Sequence, residues 1–489
     1  MNTLPEVHLC IVQPSSYVHS LGFIDQARYF RYQFRRLGAR VSIAKNRLRH
    51  DAVNLIFGAH LGFDVTQTQR HACVFVQLEQ IGRGGANLRP DYLKLLQQAA
   101  VIDYDADNVP AYSGTPQDVP LVAFQHAPYL KLEPVIPLEE RPIDLLFIGS
   151  MNDRRRAWLD RVEACGRSVA VFDAALYAEE RDDFIRQAKA VVNCHFYESA
   201  RFEQARVAQC LSLGTPVISE RTEQTRPHAA FEDCVLWLQD HQLERFFRED
   251  FATPAFYEYA RAALQRFEAA DPIEAYADAL AFVAGYARVH HQHRPTEPWR
   301  PERVNLGSGR DYKTGWLNID ILDRAMPDVV LDLSAPLQMP LRIDSARAGP
   351  VELAEDSVAL IYANNVLEHV PDLASLMGNC LRLLRVGGEF QIEVPYERAL
   401  SAWQDPTHVR AMNENSWIYY TAWFWYLGWF EHRFDLVQLV WLDSQLQACN
   451  QSEAAFMRVT LRKIVTTPRE RTTARTMQAE LRLPDDDLV

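Results

Sequence analysis

Two stretches of this chain have residue types and spacings that could do chemistry. In Arg303 to Asp320 (RVNLGSGRDYKTGWLNID) an apolar run meets Gly307-Ser308-Gly309, and a second short apolar run ends in an acid, Asp320. Glycines let a turn of backbone sit against a ligand, and an acid at the next strand end accepts hydrogen bonds from both hydroxyls of a ribose. Earlier, an apolar run ends at Gly149-Ser150, the arginines Arg154-Arg155-Arg156 follow, and Arg206 lies on the first turns of a later helix. Guanidinium groups and a helix N-terminus neutralise a diphosphate. His19, at the first strand-to-helix turn, is a candidate base, and His195, ending an apolar run, is either a base or a satisfied core histidine. His290-His291-x-His293 lacks a cysteine or carboxylate framework nearby, so no metal site is expected.

These residues need elements to hold them. Short apolar runs recur at 7–12, 40–44, 53–57, 73–76, 101–104 and 121–124, with a helical pattern at Phe23, Ala27, Phe30, Phe34 and Leu37 closed by Gly38. A second set, at 144–148, 169–172, 190–195 and 216–219, follows the proline-bearing stretch 132–142. Alternating strands and helices define α/β domains with parallel sheets, whose ligands bind at strand C-termini. Residues 251–287 read as two helices broken near Asp271-Pro272, and 289–303 as a polar, proline-bearing linker. The third set runs through 304–306, 316–319, 329–333, 358–362 and 389–394, with a helix at 373–384 and a final strand pair at 433–440 and 456–464. Only Arg310 to Gly315 separates the glycine turn from the next strand, too short for a full crossover helix, so at most one helical turn is expected there.

The chain has 489 residues, 48% of them hydrophobic and 24% charged, which suits a multidomain globular protein. With 51 basic residues against 64 acidic ones the net charge is −13, which argues against non-specific nucleic-acid binding. The eight cysteines contain no C-x-x-C, as expected of buried thiols in a reducing compartment. The N-terminal segment shows no signal-peptide pattern, and the most apolar window, Thr421 to Phe430, is about half of a membrane span. A cytoplasmic protein without a transmembrane segment is expected. The aromatic-rich stretch after Asn415 fits core packing or a homo-oligomer contact, with peripheral membrane contact and a sugar-stacking platform as further readings.

Asn193 to Glu220, NCHFYESARFEQARVAQCLSLGTPVISE, resembles the nucleotide-sugar-binding segment of GT-B glycosyltransferases, of the family 1/4-like kind. Glu203-Gln204-Ala205-Arg206 matches the acid-x-x-Arg helix of one branch; Phe75 to Tyr112 and LFIGSMNDRRR (146–156) are similar to its upstream pieces. The resemblance implies nucleotide-sugar contacts at Gly149, Ser150, Glu203 and Arg206. It departs from the family where the usual paired acids would stand, at Arg201 and Gln209, so the ribose or sugar contact is either lost or taken by Glu203 and Glu198.

The segment 303–466 resembles class I S-adenosylmethionine-dependent methyltransferases. The pieces that carry this are NLGSG, an acid after the second strand, NNVLEHVPD, LRVGGEFQIEVPY and DPTHVR, in order. The resemblance implies that Gly307, Ser308 and Gly309 pass beneath the cofactor, that Asp320 holds its ribose and that Asp332 lies near its adenine. Asn364 and Asn365 would line the carboxypropyl or acceptor side. Glu368 and His369 would cap the following helix or face the acceptor, and Tyr396 and Asp405 are further acceptor-side candidates. For transfer to an oxygen the acceptor must lose a proton, a task suited to a near-neutral histidine, with His408 the first choice of base and His369 the second.

The expected organisation is two Rossmann-like domains in GT-B arrangement (1–135 and 136–286), a linker (287–302), a Rossmann-like methyltransferase domain (303–466) and a polar tail (467–489). The expected function is bifunctional. A sugar is transferred from a nucleotide-sugar donor to a glycan acceptor, and S-adenosylmethionine methylates a sugar hydroxyl, as in surface polysaccharide or glycoconjugate synthesis. The alternatives are a first half that only binds the glycan, and a small-molecule or protein methyltransferase carrying a scaffold.

Overall fold

The structure is a computed structural model and describes residues 4–477 apart from 16, 116–117, 133–134 and 173–174. It divides into two compact units, Met1–Leu48 with Ala52–Arg294, and Arg49–Asp51 with Pro295–Val489.

The first unit holds two parallel five-stranded sheets. One comprises β1 (Val7–Ile11), β2 (Val41–Lys45), β3 (Val53–Phe57), β4 (Ala72–Gln77) and β5 (Ala100–Asp103), in the order 2-1-3-4-5. The other comprises β6 (Ile143–Phe147), β7 (Val169–Val171), β8 (Ala188–Asn193), β9 (Val217–Glu220) and β10 (Leu236–Leu238), in the order 10-9-8-6-7. β1, β3 and β4 are buried along their whole length, which explains their unbroken apolar sequence: parallel strands covered on both faces cannot alternate.

The run at 121–124 does not become a strand; it keeps a single bridge, Asp103 to Leu121. The Val122 N–H donates to the Asp103 carbonyl, and side chains take N–H groups at and just beyond the end of the run. The N–H of Phe124 donates to Gln204 Oε1, that of Gln125 to the Tyr29 hydroxyl and that of Ala127 to Ser212 Oγ. The helix expected to end near Ala287 continues to His293, so the polar linker starts later than its sequence suggests. Histidines in the last turn suit the negative end of a helix, and no apolar stripe is needed there. The polar tail begins with a helix. Pro468–Met477 is a helix held by Arg433 to Glu470, and the acidic end of the tail lies outside the described residues.

The second unit is built on β11 (Arg303–Leu306), β12 (Leu317–Asp320), β13 (Val329–Val330), a hairpin of β14 (Leu341–Ser345) and β15 (Gly349–Leu353), then β16 (Val358–Asn364), β17 (Leu384–Pro395), β18 (His432–Leu442) and β19 (Phe456–Val465). The main sheet runs 13-12-11-16-17-19-18, with β19 antiparallel to both neighbours. The order reverses between β11 and β16, and their C-terminal ends carry Gly307 and Asn365. That is where open α/β sheets bind ligands.

Turns alone connect β11 to β12. In place of a crossover helix stands a buried amide network. Asn318 accepts from Asn305 Nδ2 and from the Lys313 N–H, and its own backbone and side-chain N–H groups donate to Asp328. The Tyr312 hydroxyl donates to the other Asp328 oxygen at 2.6 Å. Asparagines at strand centres weaken a sheet unless they are bonded in this way.

Candidate functional site

At the switch point of the second unit the chain forms a cavity of about 520 Å³. Gly307, Asn365, Asp320, Asp332, His369 and Thr407 are among the residues that line it. Gly307 has φ +62°, and a Cβ added there would lie 2.3 Å from Val366 Cγ2, so both conformation and space require glycine. Asn365 also adopts a left-handed conformation, φ +52°, with its N–H bonded to the Glu393 carbonyl on β17.

The Asp320 carboxylate is 8% exposed. One oxygen accepts from the Gly309 N–H at 2.8 Å and the other from the Leu322 N–H at 2.9 Å. A carboxylate has about four lone-pair sites, so two remain for a diol. Beyond it, Leu331 and Leu333 flank Asp332, whose Oδ1 takes the Ser334 N–H and hydroxyl. The sequence of groups along the cavity is thus a glycine turn, a carboxylate and an apolar edge. That fits the methionine, ribose and adenine parts of S-adenosylmethionine. Ser308 is 1% exposed, and neither its Oγ nor Asn364 Oδ1 has a hydrogen-bond partner among the described residues.

Across the cavity, the loop after β17 meets the short 3-10 turn Leu367–His369 after β16, joined by the Val409 N–H to the Glu368 carbonyl at 2.9 Å. His408 Nδ1 lies 2.9 Å from the Ala402 carbonyl, which accepts only, so Nδ1 carries the proton and Nε2 is left with its lone pair. The Thr407 hydroxyl donates to Asp405 at 2.7 Å and therefore accepts at 2.9 Å from His369 Nδ1, leaving His369 Nε2 unprotonated as well. The two rings stand edge to face, 4.7 Å apart. Glu368 is 1% exposed, and burial pushes its carboxyl up to about 7.

Of the two candidate bases, His369 is among the residues lining the cavity and His408 is not, its ring standing 4.7 Å from that of His369. Tyr396 is not brought to the cavity. It is fully buried, its ring 4.7 Å from Trp441, with its hydroxyl accepting from Gln451 at 3.0 Å; a strand-end tyrosine looks alike in either role from sequence. Asp405 is likewise used within the protein, holding the Thr407 backbone and hydroxyl. Sequence reasoning missed Val366, Thr407 and the amide network. Asparagines inside apolar strands were the available signal for the last.

The first unit has a cleft of about 640 Å³ whose lining comes from both sheets' strand ends, including Tyr104, Gly149, Arg155, Glu203 and Arg206. Arg155 is 3% exposed, lies between the rings of Phe147 and Phe196, and donates to the Ser150 and Cys194 carbonyls. Arg206 donates to the Ile148 carbonyl and to Asn193. A Cβ at Gly149 would come within 2.6 Å of Arg206 Nη1 and 2.9 Å of Arg155 Nη1.

Glu203 balances these cations. Burial would raise its carboxyl, but the hydrogen bond from His195 and the charges of Arg206, His195 and Arg155 outweigh that and hold it at about 2. His195 is thus a buried partner of Glu203 and Thr225, and His19 bonds Tyr177 at 2.7 Å. Arg154 is taken up by Glu220 through two hydrogen bonds and does not lie free in solvent. Arg201 and Gln209, standing where paired acids were looked for, bond Asn108 and the Ile81 carbonyl, and Asp182, respectively. Among the described residues no helix is long and apolar enough to cross a membrane, and all eight cysteines are free thiols.

The strand order, the glycine turn and the acid at the end of β12 give the second unit a Rossmann-like α/β fold. Residues 312–392 match the family model described as a methyltransferase domain. The chain is 31% identical over 143 residues to the uncharacterized protein L140 of Acanthamoeba polyphaga mimivirus, a stretch covering 27% of this chain and 42% of that protein. Among solved structures it is similar to an S-adenosylmethionine-dependent methyltransferase from Mesorhizobium loti (15% identity, TM-score 0.22, 36% of this chain and 96% of that one). It is also similar to one from Archaeoglobus fulgidus (13%, TM-score 0.23, 36% and 91%). A third is WaaG, a glycosyltransferase involved in lipopolysaccharide biosynthesis (12%, TM-score 0.36, 57% and 100%).

Proposed function

We propose that the second unit is an S-adenosylmethionine-dependent O-methyltransferase and that the first is a GT-B-like half handling a nucleotide sugar, the pair acting on a glycan. The observation that carries the methyltransferase reading is the cavity that Gly307, Asp320 and His369 line together. When bound, S-adenosylmethionine supplies a methyl group made electrophilic by its sulfonium and leaves as a neutral thioether.

The chain's own part is to bind, orient and handle a proton. Gly307 lets the backbone approach, and Asp320 fixes the ribose through its two remaining lone-pair sites. Val366, Leu331 and Leu333 exclude water from the apolar part of the cavity. As the acceptor oxygen bonds to the methyl carbon its proton must leave, and the unprotonated Nε2 of His369, with the His408 ring 4.7 Å from its own, is the group in the site able to receive it. Positioning an activated donor against an oxygen supplies much of the remaining acceleration. The test is calorimetry with S-adenosylmethionine on the wild-type chain and on Asp320→Ala; equal affinities would refute the site.

For the first unit, the guanidinium groups of the buried Arg155 and the partly buried Arg206 against Gly149 support a diphosphate. A second reading, binding without transfer, is favoured by Arg201 and Gln209, whose side chains are committed to internal contacts. Hydrolysis of a panel of nucleotide sugars separates the two. Release from none of them, with glycan binding retained, leaves the binding module.

A further inference from the structure

We infer that Glu368, His369 and His408 form a binding site for one divalent transition-metal ion, with a coordination position left open for an oxygen of the methyl acceptor. The assignment deepens the methyltransferase reading and rests on it for the role of that open position.

The three side chains come from two elements, the 3-10 turn after β16 and the loop after β17. One ligand atom from each lies within 4.8 Å of the others, and His408 Nε2 is 4.0 Å from Glu368 Oε1. Tetrahedral ligands on a zinc-sized ion stand about 3.3 Å apart for bonds of roughly 2.0–2.1 Å, so a modest contraction completes the set. Both imidazoles already have the tautomer a metal needs. His408 Nδ1–H is fixed on the Ala402 carbonyl and His369 Nδ1–H on Thr407, which Asp405 holds in turn. Outer partners of this kind orient histidine ligands in metal sites.

The second, independent observation is Glu368 itself. It is 1% exposed, and neither carboxylate oxygen has a hydrogen-bond partner among the described residues. A buried carboxylate in that state is costly unless something positive meets it. With Nδ1–H committed to Thr407 and Ala402, the neutral rings present lone pairs at their other nitrogens and supply no donor; a cation among the three satisfies all of them at once.

Donor chemistry narrows the ion. Two imidazole nitrogens and one carboxylate suit zinc, iron(II), cobalt or nickel, whereas magnesium and calcium prefer all-oxygen sets. Three protein ligands leave a vacant position, and His369 and Thr407 border the donor cavity, so an acceptor hydroxyl bound there lies beside the methyl donor. Coordination acidifies that hydroxyl, whose proton then passes to solvent; with no ion bound, His369 Nε2 is free to receive it.

The test uses the untagged full-length chain, stripped with a chelator and titrated with Zn²⁺ by calorimetry and with Co²⁺ by visible absorption. The expected result is one ion per chain and a Co²⁺ ligand-field spectrum. Binding should weaken at least tenfold in Glu368→Gln, His369→Ala and His408→Ala, and less in Thr407→Ala. Zn²⁺ should raise the melting temperature of the wild-type chain and fail to raise it in Glu368→Gln, a control that also reports folding of the variant. No stoichiometric ion in the wild-type chain, or unchanged affinity in all three ligand variants, overturns the site. S-adenosylmethionine affinity measured on the same preparations separates this outcome from failure of the methyltransferase reading, since either ligand can bind without the other.

Discussion

Gly309 and Asp320 hold each other: the glycine N–H donates to Asp320 Oδ2 at 2.8 Å, while the other oxygen of the same carboxylate accepts from Leu322 at 2.9 Å. The acid thus shapes the glycine turn with half of its capacity and offers a ligand the other half. Asp320→Ala should weaken S-adenosylmethionine binding by roughly 100-fold, the equivalent of about 3 kcal/mol for two hydrogen bonds to a charged group. Calorimetry gives the affinity, and circular dichroism checks that the sheet persists.

Gly307→Ala should destabilise the second unit by about 2–3 kcal/mol, combining a positive-φ cost of about 1 kcal/mol with overpacking against Val366. Adding Val366→Ala should recover the packing part and leave the backbone part. A double-mutant cycle in urea denaturation measures the coupling, and additive effects would contradict the contact.

His369→Ala and His408→Ala should each lower methyl-transfer turnover by roughly 100-fold, the usual scale of losing proton handling at a reacting oxygen. Neither should move cofactor affinity more than slightly, because Asp320 and the glycine turn remain. A matching loss of S-adenosylmethionine binding would instead assign the imidazoles to the donor side.

Glu203 sets an acid limit on the first unit. Its folded pKa, about 2, is depressed from 4.5, so the stability it contributes is full above about pH 4.5 and lost as pH falls towards 2. The loss is of the order of 3 kcal/mol. Denaturant midpoints followed through that window should fall in the wild-type chain and fall less in Glu203→Gln.

Asn318→Leu keeps the side-chain volume close and removes the centre of the amide network, leaving Asn305, Asp328 and the Lys313 N–H short of partners. A loss of about 3 kcal/mol is expected from several buried groups left unbonded, read as a lower denaturation midpoint.

Much of the α/β architecture was legible because parallel strands buried on both faces leave long apolar runs, as in β3 and β4. The short link after Gly309 was legible too, since a crossover helix needs more residues than Arg310 to Gly315 provide. What escaped was decided by distant partners. Residues 121–124 have a strand's composition, but Gln204 claims the N–H of Phe124, and Tyr29 and Ser212 those of Gln125 and Ala127 just after it. Tyr396 looked like an acceptor ligand because nothing local shows that Gln451 takes its hydroxyl. Which of His369 and His408 lines the cavity depends on how two loops come together, a fact of three dimensions. The grouping of Glu368 with both imidazoles was hidden for the same reason, its members being split between two loops far apart in the chain.

The amide network joining β11 to β12 also bears on how the domain is assembled in time. Its members are close in sequence, so the loops that bring them together are short and cheap to close, whereas β17 must wait for partners much further along the chain. The contacts among Asn305, Asn318 and Asp328 therefore close at little entropic cost, and they shape the glycine turn from residues near it in the chain.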